Sequence, residues 1–530
     1  MASFDAIVVG TGPAGVMAAR ALRGKRVLIL DVGREPNPLP DHDSASDLYE
    51  QRRSQPDLFD FLIGQKFESL HNIHSEPVSL KLKSPLMRYI IDDARALAPV
   101  RSQNFDATMS FAAGGLANAW GAGVYRFTAR DLDGFPVNKQ ELEPFYDELT
   151  EHMGVSGLND DLAPSFGDDP ALQPPIRLSR FASDLQAGYQ RKHALFTKLG
   201  VSIGRTRLAI LTEPHRGRPP YNYGNFEFFR PHFPSVYNPA YTLRELIDAG
   251  EVSYEPQHLA LRYTESDSGV TVTTRNLISG AHETFEARTL ILAAGALNSA
   301  KLVLESNNDH NTRLPLLDNP MTCLPLFRLN RIGQALDQQD SSLGQLILIQ
   351  EYQGTVLQGS VYGTAGPLRS DILFELPLSI TANLGWLRRT AAATGLLMMF
   401  YPADPHSDNY LQLAPDGTLE LNYGKPITTG PERGEAEKTL IPAFRKIGFY
   451  SAAALCQYPP MGASIHYAGT LPMRNSPGRY ELYPDGRLHG SRNIYVVDGA
   501  CFPRLPAKNL TLTIMANAMR IASRIRDMVL

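Results

Sequence analysis

Two short apolar runs near the start of the chain, FDAIVV at 4–9 and RVLILD at 26–31, flank the hexapeptide GTGPAG and the stretch PAGVMAARALRGK. Continuous apolar runs without alternation suit strands buried on both faces of a parallel sheet. The stretch between them has the composition of a helix. A strand, a glycine turn, a helix and a second strand in so little chain make an α/β unit with a right-handed crossover. Gly10, Gly12 and Gly15 fit G-x-G-x-x-G in the context that gives the motif meaning. The first glycine permits the tight turn, the second lets backbone approach a pyrophosphate, and the third lets helix and strand pack closely. Pro13 and Ala14 open the helix, whose free N–H groups face bound phosphate. Asp31 lies 21 residues beyond Gly10, where an acid binds the hydroxyls of a ribose. These residues predict a cofactor containing adenosine diphosphate. FAD and NAD both remain open at this point, while the terminal acid argues against NADP.

The 530 residues are long enough for more than one core. A net charge of −4 offers no basic excess for collecting phosphates, which argues against a dedicated nucleic-acid or anionic-membrane binder. The pairs Arg52-Arg53 and Arg388-Arg389 read as solvated surface. Cys323, Cys456 and Cys501 are far apart and show no Cys-x-x-Cys spacing, so neither a cysteine metal centre nor a disulfide framework is expected. The sequence shows no basic leader and no apolar run of the ~18–20 residues a membrane helix needs. The expectation is a cytoplasmic protein with no membrane span.

After a proline-bearing polar stretch from Arg34 to about Asn72, regular patterning returns around FAAGGLANAWGAGVYRF. The segment GVTVTTRNLISGAHETFEARTLILAAGALNSAKLVL predicts a hairpin, a buried strand and a helix from about Asn298. Between about 321 and 423, LPLFRL, QLILIQEY, DILFELPL, GLLMMFY, NYLQL and LELNY predict an antiparallel sheet, the last two joined as a hairpin at Asp416-Gly417. Dinucleotide-type elements resume after 245 and after 460, so two domains interleave. Residues 219–241 hold eight aromatics and five prolines in 23 positions with no clear period. They read either as a loop packed on its own rings or as an aromatic lid.

Four segments, GTGPAG with Asp31, GGLANAWGAG at 114–123, ILAAGALNSAKLVL at 291–304 and NIYVVDGACFPRLPAKNLTLTIMANAMR at 493–520, together resemble the glucose–methanol–choline (GMC) oxidoreductases, FAD flavoproteins that oxidise alcohols. The resemblance runs from residue 5 to beyond 520 and is poorer in the antiparallel part. It implies an α/β fold in which a Rossmann-like FAD-binding domain interleaves with an antiparallel-sheet substrate domain. The FAD-binding parts are 1–150, 245–318 and 463–530; the substrate parts are 151–244, with the aromatic loop, and 319–462. The resemblance places Gly114, Gly115, Asn118 and Gly121 along the flavin, with Trp120 nearby. It sets Leu259 at adenine, Ala294 and Gly295 along the cofactor wall, and Asp498 and Gly499 at the pyrophosphate and ribityl chain. Thr511 touches the flavin or caps the following helix. The pyranose-oxidase-like branch is closest in motif, but where pyranose oxidases carry a flavin-linked histidine this chain has Ala119. The implied FAD is therefore non-covalent.

The same resemblance interprets SIHYAGTLPM. Family members carry the catalytic histidine in His-x-x-Gly-Thr, matched by His466, Gly469 and Thr470, and its partner before Thr-Leu-Thr-Ile, here Asn509. Most relatives have proline after that partner; this chain has Leu510. Oxidising an alcohol removes a hydride from carbon and a proton from oxygen. Imidazole, with an ordinary pKa of ~6.5, suits the proton, and a neutral amide can hold the substrate oxygen. The reading is an FAD-dependent alcohol oxidase or dehydrogenase acting on a sugar, glycoside or other polyhydroxylated small molecule. Oxygen, a quinone or a protein remain open as electron acceptor. An FAD-containing lyase of the same fold and a silent FAD-binding protein are the alternatives; an NAD dehydrogenase fits the three later segments poorly. No metal ligand set is expected.

Overall fold

The computed structural model describes residues 4–38, 52–70, 80–223, 234–336, 343–364, 379–424 and 430–530. β1 (Phe4–Val9), α1 (Pro13–Ala21) and β2 (Val27–Leu30) form the unit expected from their sequence. Ile7, Val8, Leu28 and Ile29 are buried, and the strands run parallel with Val9 opposite Leu30. The other edge of β1 pairs in parallel with His282–Leu292, Val9 opposite Leu292. Ile494–Val496 lies parallel to the last residues of that long strand, and Val252–Glu255 extends the sheet beyond β2. The antiparallel strands Gly269–Asn276 and His258–Ser266 complete seven. One sheet thus draws on residues near the start, middle and end of the chain. Val9, Leu30, Leu292 and Val496 end at one edge, where open parallel sheets bind ligands.

The antiparallel five-stranded sheet runs Met321–Phe327, Thr394–Phe400, Thr355–Gly363, Leu346–Tyr352, Val201–Arg205. Alternation along Thr394–Phe400 sends Leu397 and Met399 into a core with Phe181, Leu185, Leu440 and Phe444 from helices Arg180–Arg191 and Glu435–Lys446. Leu396, Met398 and Phe400 point to the opposite face, in a small cluster with Met321, Cys323 and Ala507. The sequence patterning passes over Thr355–Gly363, because glycine weakens a strand signal. Gly359 is needed there: a Cβ would stand 2.5 Å from the Met399 sulfur. The Asp416-Gly417 hairpin forms, but in a separate sheet with Val100–Gln103 and Leu314–Pro315 rather than in the five-stranded one. DILFELPL lies outside the described residues.

Of the aromatic segment 219–241, residues 224–233, including Phe228 and Phe229, lie outside the described residues. Tyr221 and Tyr237 are buried in the main core, and Pro239–Asp248 is a helix whose N-cap, Asn238, accepts from the Ala240 N–H at 2.9 Å. The C-terminal helix Thr511–Met528 packs on α1 and on Lys139–Met153. No described helix is long and apolar enough to cross a membrane.

Gly15 sets the junction of turn and helix. A Cβ there would lie 2.0 Å from the Gly10 carbonyl oxygen, whereas one on Gly12 would meet nothing within 4 Å. Gly15→Ala is therefore expected to destabilise the protein by about 1–3 kcal/mol, as overpacking does. Gly12→Ala should melt near wild type. Thermal unfolding of the two variants checks this, and equal melting temperatures would contradict it.

Candidate active site

The four strand ends open on a cleft, and most of the residues expected at a cofactor line it. Gly10 adopts φ +102°, a conformation glycine alone takes readily, and a Cβ would strike the Ala293 carbonyl oxygen at 2.6 Å. Across the cleft Gly115 has φ +61°, and its missing Cβ would come within 3.3 Å of Gly12 Cα. Glycines at both positions keep a narrow backbone-walled slot open. Pro13, Ala14, Asp31, Leu259, Ala294, Gly295, Asp498, Gly499 and Thr511 also border the cleft. Gly15, Gly114, Asn118, Trp120 and Gly121 do not. Gly114 abuts the Asn238 side chain, and Gly121 is exposed. Buried Asn118 ties its own loop: Nδ2 donates to the carbonyls of Ala113 (2.8 Å) and Gly115 (2.7 Å), and Oδ1 accepts from Tyr89 and Asn238. Trp120 Nε1 donates to the Tyr237 carbonyl at 3.0 Å. The last two shape the wall from behind.

Thr11 joins the parts of this wall, a role its variable position in the glycine motif does not announce. Its hydroxyl donates to the Asp31 carboxylate and accepts from the Gly114 N–H at 3.2 Å. Burial pushes the Asp31 carboxyl up to about 7, against the opposing pull of Thr11 and nearby N–H groups. Asp498 is buried too. It accepts from Gly295 N–H (2.8 Å), Ser299 Oγ (2.5 Å) and Ala500 N–H (2.9 Å), and burial raises its pKa. Thr511 is the first residue of the C-terminal helix; the N-cap is Leu510, with no side-chain cap.

His466 and Asn509 meet beside the cleft. Asn509 Nδ2 lies 3.4 Å from His466 Nε2, and their neighbours Ile465, Tyr467, Leu510 and Thr511 border the cleft itself. Gly469 (φ +77°) packs its backbone against Leu317, and the Thr470 hydroxyl donates to the Ala296 carbonyl at 2.8 Å. His466 Nδ1 lies 2.9 Å from Asn319 Oδ1, and the ring stacks on Phe400 with centroids 5.3 Å apart. Gln358 Nε2 donates to Asn509 Oδ1 at 2.7 Å. Burial lowers the His466 pKa to about 4, below the ordinary imidazole value expected from sequence. Asn319, Gln358 and Phe400 belong to the five-stranded sheet or its approach and carry no local motif.

Residues 437–518, which contain His466, Asp498 and Asn509, match the family model described as GMC oxidoreductase. The C-terminal part of the chain thus resembles the GMC oxidoreductases, as its motifs led us to expect. The chain is 22% identical over 474 residues to paromamine 6'-oxidase of Streptomyces fradiae, covering 80% of this chain and 75% of that protein. It superposes on the crystal structure of pyridoxine 4-oxidase from Mesorbium loti with a TM-score of 0.60 and 14% identity, over 98% of this chain and 99% of that one. The chain thus has the two-domain α/β fold expected of it, and the matches together support an oxidoreductase. GMC oxidoreductases are FAD flavoproteins, and the cleft lined by the Gly10–Ala14 turn, Asp31, Gly115 and Asp498 fits such a group.

The two acids should separate by variant. Asp498→Ala leaves three buried donors without an acceptor, at about 1–3 kcal/mol each before relaxation, so it should lower the melting temperature. Asp31→Ala removes the acceptor of the Thr11 hydroxyl at the border of the cleft and should reduce FAD retention instead. Matched thermal unfolding and flavin absorbance per chain distinguish them, and normal FAD affinity in Asp31→Ala would show that Asp31 holds no ribose.

Proposed function

We propose that this protein oxidises an alcohol group of a small molecule to a carbonyl, with His466 as general base and Asn509 orienting the hydroxyl. The observation that carries this reading is the meeting of the His466 and Asn509 side chains beside a cleft built from three distant parts of the chain. FAD would be held by the Gly10–Gly15 turn, Asp31, Gly115, Leu259, Ala294-Gly295, Asp498-Gly499 and Thr511. Bound there, it supplies the hydride acceptor. Asn509 Nδ2 donates toward the substrate oxygen, and His466 Nε2 takes the hydroxyl proton. Burial disfavours imidazolium, so the ring stays neutral and able to accept a proton above about pH 4. The favoured substrate is a sugar, glycoside or other polyhydroxylated compound, a class supported by the likeness to paromamine 6'-oxidase.

FAD is held without a covalent link, since Ala119 offers no nucleophile. Acid precipitation should leave the yellow colour in the supernatant; colour in the pellet would refute this.

Anaerobic mixing with sugars, glycosides and other alcohols while following flavin absorbance tests the activity, because a lyase or silent protein leaves the flavin oxidised. His466→Ala should slow flavin reduction by roughly 10²–10⁴-fold, the usual worth of a general base, with FAD content preserved. Asn509→Ala should cost less, since it moves no proton. The wild-type rate should fall as pH drops toward about 4, where the lowered pKa places protonation of the ring, and hold steady around 6.5. A near-wild-type rate in His466→Ala would exclude the base assignment.

A further inference from the structure

The placement of the His466 ring rests on two residues that no motif contains. We infer that the dipeptide Asp318-Asn319 is the positioning device of this site: Asn319 selects the His466 tautomer that carries its proton on Nδ1, and Asp318 holds the turn that presents the ring. The inference builds on His466 as the base.

Asn319 is 1% exposed and its amide has one workable orientation. Both hydrogens of Nδ2 are taken, by the carbonyls of Tyr401 (2.8 Å) and Pro506 (3.0 Å). Its Oδ1, an acceptor only, therefore faces His466 Nδ1 at 2.9 Å. An acceptor there requires Nδ1–H, which leaves the lone pair on Nε2, the nitrogen facing Asn509. Gln358 fixes Asn509 in the same manner by donating to its Oδ1, which turns Nδ2 toward His466. The groups that touch the ring, Asn319, Asn509 and Phe400, are all uncharged.

Asp318 is fully buried and accepts hydrogen bonds from the turn, from the Gly462 N–H at 2.6 Å and from the Ser464 hydroxyl. Ser464 Oγ in turn accepts the His466 N–H at 3.2 Å. Inside this turn Ile465 has φ +58°, a conformation that a β-branched residue adopts only when its surroundings impose it. The side chain of that residue borders the cofactor cleft while the next residue supplies the ring. A buried carboxylate satisfied by the turn is what imposes the bend.

Nitrogen NMR of oxidised holoenzyme labelled with ¹⁵N-histidine tests the tautomer directly. The His466 signals, identified by their loss in His466→Ala, should show a protonated Nδ1 and a bare Nε2 at neutral pH. A proton on Nε2 would overturn the role of Asn319. In Asn319→Ala, with FAD content confirmed, the limiting rate of flavin reduction should fall about 100-fold, as for a misplaced reacting group, while the substrate dissociation constant stays near wild type. An unchanged limiting rate would overturn it as well. Asp318→Asn should likewise lower the limiting rate rather than substrate affinity; an unchanged rate removes Asp318 from the device. Full activity in His466→Ala would instead defeat the base assignment, and the NMR result would still decide the tautomer.

Discussion

A parallel strand directs the residues after its last hydrogen bond out of the sheet edge. Here four strands do so at one level, with Val9, Leu30 and Leu292 in register and Val496 opposite Leu292. Gly10 follows the first, Asp31 the second, Ala293 to Gly295 the third, and Asp498 closely follows the fourth. Residues nearly 500 positions apart in sequence are thereby neighbours in space. The site depends on this alignment more than on any single contact. Side-chain bonds then lock the loops to one another, Thr11 linking Asp31 to Gly114 and Asp498 linking Gly295 and Ser299 to Ala500.

The electrostatics of the site follow from burial. Desolvation penalises whichever form is charged, so it raises Asp31, Asp318 and Asp498 and lowers His466. Each carboxylate is offset by N–H and O–H donors, and the ring is surrounded by amides and an aromatic face. Neutral dipoles therefore keep His466 in the form a base needs. A carboxylate against the ring would work the other way, favouring imidazolium and removing the lone pair.

Local patterns made the cofactor half of the fold legible. The glycine turn, its flanking apolar runs and Asp31 lie within about thirty residues, and periodicity identified the hairpin and long strand before Ala293. The His466 and Asn509 pairing was legible only through resemblance, since 43 residues separate them. What the sequence hid was cooperative. Thr11 occupies a variable position of its motif. Asn319 and Gln358 are ordinary polar residues until strand pairing brings them to the histidine. The strand Thr355–Gly363 was hidden in part by Gly359, where Met399 and Leu397 fill the space a side chain would take. The Asp416-Gly417 hairpin was visible, but its partners, Val100–Gln103 and Leu314–Pro315, are set by tertiary contacts that periodicity does not encode.

The two crossings between the sheets explain why His466 sits where it does. The chain leaves the first sheet near Leu314–Met321 and returns near Pro460–Ala468, and these passages are bonded to each other. Leu317 and Ala468 exchange N–H···O bonds of 2.9 and 3.0 Å, and Gly462 donates to Asp318. Each passage is anchored in one sheet and steered by the other. His466 lies on the returning segment, backed by Phe400 of the antiparallel sheet and by Asn319 at its approach. A base mounted on either sheet alone would be aimed by that sheet alone. Placed on the crossing, His466 takes its position from the returning turn and its ring orientation from the antiparallel-sheet side, so both are fixed by bonds that join the two passages.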